Sequence, residues 1–542
     1  MQKIYPTPVK KILYLLTVIL FYAQISKAQD AVYVPYSYQF YQKFNADVYS
    51  VNTSLHTSLK PYLLDSTILH KYNELMDLGV DSTRKTWFSR EFFNEHLIHS
   101  ETKDYTFYAD YLTDMELGRD FNYKVLTAVN TKAYQLGGTV GNNFFFYTSG
   151  YENQSKFPDY LYDYIEQIRF VPGQAYDRDN TNSYDSPVDW SYVTAIVSYT
   201  PIKQLNITLG QDKTFIGDGY RSLLLSDVAA TYPLLRLTAT VGKVQYMMMV
   251  ADMEDINLPK YDTYGNNRRK MAAFHYVDWN VTKRLSLGYF DALIAAGAND
   301  QGVRHPFDAN YVNPLIFTSS IGPSTPYKDV TLNGFTAKYK IFDKTAIYGQ
   351  LLIDRFKASD FFSGNSADNT NGVQLGIRGA DLFKVTGFNY ILEFNTVKPY
   401  TYAAQQSISS YTDYSQSLAD PLGANFKEFI GILSYSIGKW DFQGQANYAT
   451  LGLDAKNSDY GQNVTLPFDP STVASGSTGQ GIKTNLYYGE GTISYLINPK
   501  YNFRIVGGLV LREEENSLST TKTTWITFGV RSSFRSLYND YL

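Results

Sequence analysis

Long runs in which apolar and polar residues alternate constrain the fold of this chain more than any other feature. The run WDFQGQANYATLG places Trp440, Phe442 and Tyr448 on one face of a strand and Gln443 and Asn447 on the other. Two runs nearer the C-terminal end, YNFRIVGGLVLR and WITFGVRSSF, alternate in the same way. Side chains point to opposite faces in turn along a strand, so such runs predict strands with one apolar and one polar face.

The length of these runs and of their connections narrows the fold class. The runs are about 10 to 13 residues long, beyond the usual strand of about 5 or 6 and close to what a tilted strand needs to cross a bilayer. Short connections at 242–243, 282–283 and 438–439 alternate with long polar stretches such as 153–189 and 400–426. Outer-membrane barrels have this pattern, with short turns in the periplasm and long loops outside. A soluble β-sandwich also alternates, but this combination favours the barrel.

Counting the runs gives roughly 18 strands, an even number that suits a closed barrel. We therefore predict an all-β fold, a large antiparallel outer-membrane β-barrel over residues 105–534 with a short C-terminal tail, 535–542. Phe534 falls on the apolar face of the last predicted strand. The terminal aromatic residue that acts as an assembly signal is then either Phe534 or Tyr541.

The region before the barrel differs in pattern. A basic start, an apolar run and a small-x-small site predict a cleaved secretory signal over residues 1–28. Residues 29–104 predict a small helical element, with Ser66 and Thr86 available as N-caps, packed at or inside the periplasmic mouth as a plug. The chain has no cysteine, which excludes disulfides and thiol-linked lipid.

Composition excludes one class of partner and leaves another open. The formal net charge is −4, which argues against nucleic acid. Tyrosine is abundant, with 49 residues. Its ring and hydroxyl suit places where apolar surface meets water. The tyrosines therefore fit both the interface girdles of a barrel and loops that stack on sugars, and the sequence does not separate these two uses.

The stretch DKTFIGDGYRSLLLSDVA begins at Asp212 and has the glycines of a phosphate-binding loop. It lacks the Lys-Ser/Thr pair and the spacing that such a loop needs. We place it in an external loop, where its polar residues form a cluster at the barrel mouth. Two hypotheses remain for this loop: a structural plug, or a ligand site. The candidate ligand-binding residues are Lys213, Asp218, Tyr220, Arg221 and Asp227.

Other motifs carry weaker signals. His96 and His99 lack a recognisable third metal ligand, and Asp177, Asp179 and Asp185 lack the glycine and closing glutamate of a calcium loop. No Ser/His/Asp order is recognisable. We therefore expect neither an enzyme nor a bound metal or cofactor.

The segment TFIGDGYRSLLLSDVAATYPLLRL, residues 214–237, resembles the hallmark segment of the Wzi-type capsule-assembly outer-membrane proteins. Further segments over nearly all of the mature chain resemble the RemB-type gliding-motility proteins: VPYSYQFYQKFNADVYS (34–50), HTSLKPYL (56–63), NEHLI (94–98), PGQAYDR (172–178), FHYVDWN (274–280), GANFKEFIGILSY (423–435) and KTNLYYGEG (483–491). The resemblance implies a large barrel without known catalysis, in a group whose members hold surface polysaccharide or support gliding.

Three functions follow as hypotheses. The first is a surface barrel that binds or retains exopolysaccharide or capsule and supports gliding. Its expected partners are outer-membrane lipid, surface polysaccharide and proteins of a gliding or secretion machinery. The second is a diffusion porin or transporter, which requires an open lumen. The third, an outer-membrane hydrolase, requires a Ser–His pair at one rim.

Overall fold

The structure is a computed structural model of the chain. It describes residues 34, 36–63, 65–178, 186–257, 259–306, 309–316, 329–356, 369–456, 458–469 and 476–541. The predicted signal segment, residues 1–28, lies outside the described residues.

Eighteen long antiparallel strands in the described part of the chain form one closed barrel. In chain order they are β1 (Tyr105–Asp120), β2 (Leu126–Val140), β3 (Phe144–Lys156), β4 (Val188–Ile202), β5 (Leu205–Asp212), β6 (Tyr232–Val241), β7 (Val244–Glu254), β8 (Arg269–Asn280), β9 (Leu285–Ala296), β10 (Val330–Phe342), β11 (Thr345–Arg355), β12 (Thr370–Gly379), β13 (Phe388–Val397), β14 (Phe426–Ile437), β15 (Trp440–Leu453), β16 (Ile482–Asn498), β17 (Phe503–Glu515) and β18 (Thr520–Arg531). Pairing of Val530 with Met115 and of Trp525 with Asp120 joins β18 to β1 and closes the barrel. The predicted fold class is confirmed.

Strand β15 shows how the alternation builds the barrel wall. Trp440, Phe442 and Tyr448 are exposed on the outer face, while Gln445 and Asn447 are buried on the inner face. Exposed apolar side chains also cover other strands, among them Leu375, Leu392, Phe429, Leu509 and Phe528. A closed barrel with an apolar outer belt leaves no open strand edge and presents side chains that suit hydrocarbon. The chain is therefore an outer-membrane β-barrel.

The two ends of the barrel have different connections. We call one the short-turn end, with turns such as 203–204, 242–243 and 438–439. The other is the long-loop end, where connections such as 157–187 and 398–425 lie. Gly242 and Gly438 have positive φ angles of 62° and 55°. Two-residue turns require such φ values, which glycine adopts without steric cost.

Strand β18 ends earlier than the alternation predicts. It stops at Arg531, and Ser533 has a φ of 119° as the chain turns into the barrel. Phe534 is buried, with its ring 4.8 Å from that of Phe40, and Tyr541 is buried as well. The prediction of Phe534 on the outer face is wrong, because a side chain alternates between faces only while its strand stays in the ladder.

Four segments fold into the lumen. They are the N-terminal segment (36–63), the plug loop (213–231), the loop 398–425, and the tail (532–541). The N-terminal segment pairs with the plug loop through Leu59 with Ile216 and Lys60 with Phe215.

These segments and the inner wall share an apolar core. Its members include Leu223, Leu224, Leu225, Met247, Met249, Phe274, Phe290 and Leu352. The loop 398–425 covers this core, because the hydroxyls of Tyr402 and Tyr411 donate to the carbonyls of Leu223 and Leu224 at 2.8 and 2.6 Å. This side of the lumen is therefore packed like the interior of a soluble domain.

Helices lie mainly before the barrel: α1 (Tyr38–Tyr41), the 3₁₀ turn Gln42–Phe44, α2 (Asn45–Val48), α3 (Ser66–Met76) and α4 (Trp87–Phe93), with α5 (Asp159–Ile168) between β3 and β4. Thr86 caps α4 as predicted, by accepting from the backbone N–H of Ser89. The cap of α3 is Asp65, and Ser66 is the first helical residue, so the prediction of Ser66 is wrong by one position. Among the described residues, no helix is both long and apolar enough to span a bilayer.

Candidate functional site

The plug loop contains the five residues that the sequence singled out. It leaves β5 at the long-loop end and folds down into the barrel, and residues 214–231 are buried throughout. A Cβ on Gly217 would lie 2.3 Å from Nε2 of Gln350, and one on Gly219 would lie 2.3 Å from Oε2 of Glu393. The glycines that suggest a phosphate loop therefore let the plug loop lie directly against the barrel wall.

Asp218 is held by the N-terminal segment. Its carboxylate accepts hydrogen bonds from the hydroxyls of Tyr49 at 2.8 Å, Thr57 at 2.5 Å and Ser58 at 2.6 Å. Charge-assisted bonds of this kind are stronger than neutral ones. Asp218 therefore fastens the plug loop to the segment that enters from the other end of the barrel.

Two lysines complete the surroundings of Asp218. Nζ of Lys338 lies 3.7 Å from the Asp218 carboxylate, and Nζ of Lys60 donates to the carbonyl of Gly217. Burial alone would raise the pKa of Asp218, but Lys338, Lys60 and the hydroxyl donors hold it well below its usual range. Burial lowers the pKa of Lys60 to about 7. Asp218 is thus a buried, ionised carboxylate with its partners inside the protein.

Arg221 lies at the centre of a second buried network. Its Nη2 is 2.8 Å from Oδ2 of Asp540 and 3.3 Å from Oε1 of Glu428. The backbone N–H groups of Arg221 and Tyr220 donate to the two oxygens of Glu393 at 3.0 and 2.9 Å. Since Glu393 and Glu428 belong to β13 and β14 and Asp540 to the tail, this network ties the plug loop to both.

Lys213 and Asp227 form a third group near the long-loop end. Nζ of Lys213 donates to the carbonyls of Gly173 and Asp227 at 2.7 and 2.8 Å. The Asp227 carboxylate accepts from the hydroxyl of Tyr538 at 2.8 Å. Both side chains thus join separate segments of the chain.

The structure therefore divides the five candidates among three networks. Tyr220 and Arg221 lie together, with the Arg221 guanidinium 4.8 Å from the Tyr220 ring centre. Asp218 belongs to a different network from Lys213 and Asp227. The prediction of one polar cluster at the barrel mouth is wrong, because the loop folds into the lumen, where wall, N-terminal segment and tail cover it. A ligand-contacting role for these residues stays a prediction, and their contacts are those of a plug.

Sequence reasoning missed the partners on the barrel wall. Glu393, Glu428 and Lys338 lie at inward positions of predicted strands and are buried. Charged residues are almost never fully buried without a partner. Charges on the inner face of a predicted strand were therefore a readable sign that something inside the lumen meets them.

An exposed group of aromatic and basic side chains lies at the long-loop end. It comprises Tyr176, Lys260, Tyr261, Tyr264 and Arg304, and we call it the outer tyrosine patch. Nζ of Lys260 lies 5.8 and 5.6 Å from the ring centres of Tyr176 and Tyr261, and the Arg304 guanidinium lies 5.4 Å from that of Tyr264. The three tyrosines are 44%, 52% and 75% exposed, in that order, so their rings present area to solvent.

Ion pairs in which at least one side chain is buried hold the two connections that carry most of this patch. Arg268, fully buried, pairs with Asp255 at 2.7 Å and with Asp300 at 3.4 Å, and so joins the β7–β8 connection to the β9–β10 connection. Asp262, which is also buried, pairs with Nε of Arg304 at 2.8 Å between the same two connections. The patch therefore rests on a preorganised scaffold.

This arrangement suits sugar recognition. Tyrosine offers an apolar ring face with a polar tip, and an arginine guanidinium offers N–H donors in a fixed fork. Lys260 and Arg304 add positive charge that favours acidic groups on the ligand. The sequence left the use of the loop tyrosines open, but KYDTYG between two predicted strands was a local signal for this patch.

The remaining candidates are placed as follows. Nδ1 of His96 lies 2.6 Å from Oδ2 of Asp110, whereas Nε2 of His99 lies 4.0 Å from Oε2 of Glu95, so the two histidines face different partners. Asp177 is buried and accepts from the backbone N–H of Asp189 at 3.4 Å. Asp179 and Asp185 lie outside the described residues, so the calcium hypothesis stays untested.

A polar cavity of about 140 Å³ lies in the other side of the lumen, between the tail, the N-terminal segment and the wall. Its lining includes Lys43, Asp441, Glu490, Arg504 and Arg535. Asp441 pairs with Lys43 at 2.5 Å and with Arg504 at 3.3 Å. These charges largely satisfy each other, so the cavity has room for water but little free charge for a ligand.

No protein-family model and no curated protein sequence matches the chain. Among solved structures, the chain is similar to the Escherichia coli outer-membrane protein Wzi, which is described as involved in group 1 capsule assembly and as a carbohydrate-binding β-barrel. The two superpose with a TM-score of 0.54 at 13% identity, over 94% of this chain and 100% of Wzi. Pseudomonas aeruginosa OprD gives a TM-score of 0.40 at 10% identity, over 78% and 94% of the two chains. Acinetobacter baumannii OccAB2 gives 0.42 at 10% identity, over 79% and 97%. At this identity the likeness to Wzi shows the fold alone.

Proposed function

We propose that this outer-membrane barrel binds surface polysaccharide at the outer tyrosine patch and retains it at the cell surface. The observation that carries the proposal is the patch itself, with three exposed tyrosine rings beside Lys260 and Arg304 on loops held by buried ion pairs. The proposed activity is binding, without a chemical step.

The chemistry of the patch favours an acidic glycan. One aromatic contact is worth only about 0.5–1.5 kcal/mol. A polysaccharide presents the same unit many times, however, and repeated weak contacts add through effective concentration. Retention of a long chain therefore does not require a deep pocket.

Two resemblances support the proposal from outside the site. The description of Wzi as a carbohydrate-binding β-barrel supports it by analogy, through the shared fold. The sequence segments that resemble RemB-type proteins support a role of the retained glycan in gliding. They also support contact with proteins of a gliding or secretion machinery.

The filled lumen separates this proposal from a diffusion porin. The N-terminal segment, the plug loop, the loop 398–425 and the tail occupy the interior of the described barrel. We expect little or no steady conductance from the purified protein in planar bilayers. A large, steady conductance would favour the porin.

Surface labelling tests the orientation on which the proposal depends. Asn266 is exposed at the long-loop end and Lys203 is exposed at the short-turn end, in a chain without cysteine. An impermeant thiol reagent should label Asn266→Cys on intact cells and should label Lys203→Cys only after the outer membrane is breached. The reverse result would place the patch on the wrong side.

A complementation experiment tests the function. Cells without the protein should retain less surface glycan and spread less, and the wild-type chain should restore both. Tyr261→Ala/Tyr264→Ala should reach the surface in normal amounts without restoring retention. The matched control is Tyr123→Ala, since Tyr123 is an exposed tyrosine at the same end outside the patch. Full restoration by the double variant would refute the proposal.

A further inference from the structure

A group of three potential metal ligands lies at the short-turn end, away from both the plug and the patch. Glu91 belongs to α4, Glu95 follows that helix, and His99 lies in the short strand Ile98–Glu101, which pairs with β1. Their ligand atoms all lie within 4.8 Å of one another. The spacing of four residues from one ligand to the next brings them to one place as the chain passes from helix to strand.

Glu91 is the member whose position needs an explanation. Its exposed fraction is 7%, and its Oε2 atom is buried without a hydrogen-bond partner. A buried carboxylate oxygen without a donor is costly. A cation bound beside it would remove the cost.

Two contacts place the backbone of the ligands and leave one ring nitrogen of His99 for the metal. Nδ1 of His99 lies 3.4 Å from the carbonyl of His96, which leaves Nε2 as the ligand nitrogen. Metal-binding histidines commonly use their other ring nitrogen in this way. Nδ2 of Asn498 donates to the carbonyls of Glu91 and Glu95 at 3.0 Å each, so the end of β16 fixes the turn that carries both carboxylates.

We propose that Glu91, Glu95 and His99 bind one divalent transition-metal ion of the zinc class, which fastens α4 to the short strand that pairs with β1. Two carboxylates and one imidazole suit Zn²⁺ with a fourth position left for water. Ca²⁺ prefers six to eight oxygen ligands, and three ligands with one nitrogen do not suit it. Tetrahedral coordination with metal–ligand distances of about 2.1 Å needs ligand atoms about 3.4 Å apart. The half-exposed Glu95 and exposed His99 side chains can rotate to reach this separation.

Arg90 competes with the metal for one ligand. Its Nε lies 3.4 Å from Oε2 of Glu95, so the ion must displace part of this half-exposed ion pair. Such pairs contribute little to stability. Replacing Arg90 should therefore leave the metal affinity unchanged or raise it, a result that a purely structural role of Glu95 does not predict.

The test is Zn²⁺ titration of untagged, chelator-treated barrel in detergent, followed by calorimetry and by competition with a chromophoric chelator. We expect one ion per chain, at least tenfold weaker binding in Glu91→Gln and in His99→Gln, and binding in Arg90→Gln at least as tight as in the wild type. Co²⁺ should give visible absorption of a low-coordinate site, and Ca²⁺ should not compete.

The exposed pair His70 and Glu74 provides the matched control, because its atoms are 3.3 Å apart without a third ligand in the group. His70→Gln should bind Zn²⁺ as the wild type does. Heat-modifiable migration will show that each variant is folded. The proposal is overturned if folded Glu91→Gln or His99→Gln keeps wild-type affinity, or if His70→Gln loses it. Glycan retention does not enter this test, so its outcome is independent of the proposed function.

Discussion

The plug loop and the outer tyrosine patch use the same residue types for opposite purposes. In each, an arginine lies beside a tyrosine ring and pairs with an aspartate: Arg221 with Asp540, and Arg304 with Asp262. The Arg221 side chain is 1% exposed and that of Arg304 is 54% exposed. Covered on all sides, the motif fastens segments together, whereas the same motif open on one side is available to a ligand. Exposure, and not residue type, therefore decides which of the two regions is open to a ligand.

The largest expected difference concerns the two arginines. Arg221→Ala leaves Glu428 and Asp540 buried without their cation, which should cost about 3–5 kcal/mol and loosen the plug. Arg304→Ala should cost no more than about 1 kcal/mol, because Arg304 is half-exposed and Asp262 keeps the backbone N–H donors of Tyr264 and Asn266. Urea unfolding and bilayer conductance of the two purified variants will measure this. Equal stabilities would mean that the two regions do not differ as described.

The comparison also requires that the wall separate lipid from lumen. Phe442→Arg places a charge on the outer apolar face, at a cost of about 2–4 kcal/mol near the midplane and less towards the rim. Gln443→Arg points inward to the polar cavity and should be tolerated. The yield of heat-modifiable barrel will show the difference. Equal assembly of both variants would refute the assignment of faces.

Two glycines sharpen the contrast at smaller cost. Gly219→Ala forces a Cβ to within 2.3 Å of Glu393 and 2.7 Å of the Arg221 carbonyl, which should cost about 1–3 kcal/mol. Gly265 lies in the patch loop with a φ of 80° and open space around it. Gly265→Ala should therefore cost only the left-handed strain, about 1 kcal/mol. Thermal unfolding should show a lower melting temperature for Gly219→Ala than for Gly265→Ala. The opposite order would contradict the close packing of the plug.

The smallest expected effect is a pH dependence inside the plug. Burial lowers the pKa of Lys60 to about 7, and an unfolded lysine titrates near about 10.4. Between these values the unfolded chain binds the extra proton, so stability should rise with pH. From pH 7 to 8 the free energy of unfolding should rise by roughly 1 kcal/mol more in the wild type than in Lys60→Met. Identical slopes would show that Lys60 is not buried as described.

The barrel was predictable because alternation is a local property. The faces of Trp440, Phe442 and Gln443 follow from period two alone, and the short turns mark where each strand reverses. The exit of the tail was not predictable, because Phe534 continues the pattern after the ladder has ended at Arg531. Pairing, and not side-chain order, decides where a strand stops.

The plug was less predictable than the barrel because its contacts are remote in sequence. Arg221 and Asp540 are 319 residues apart, and neither has a local signal for the other. Met247, Met248 and Met249, all buried, did break the alternation and indicated a wall that is apolar on both faces. The patch tyrosines were visible as a motif, but only the fold distinguishes them from tyrosines of the interface girdles.

The most direct measurement compares glycan binding by two variants of the purified barrel. Surface polysaccharide extracted from the same cells would be titrated against the wild type, Tyr261→Ala/Tyr264→Ala and Asp218→Ala/Arg221→Ala, each in folded form. If the patch recognises the glycan, the tyrosine variant should lose most of the binding, and the plug variant should keep it while its conductance rises or its stability falls. Binding that survives in the tyrosine variant and disappears in the plug variant would contradict the assignment and return recognition to the plug loop.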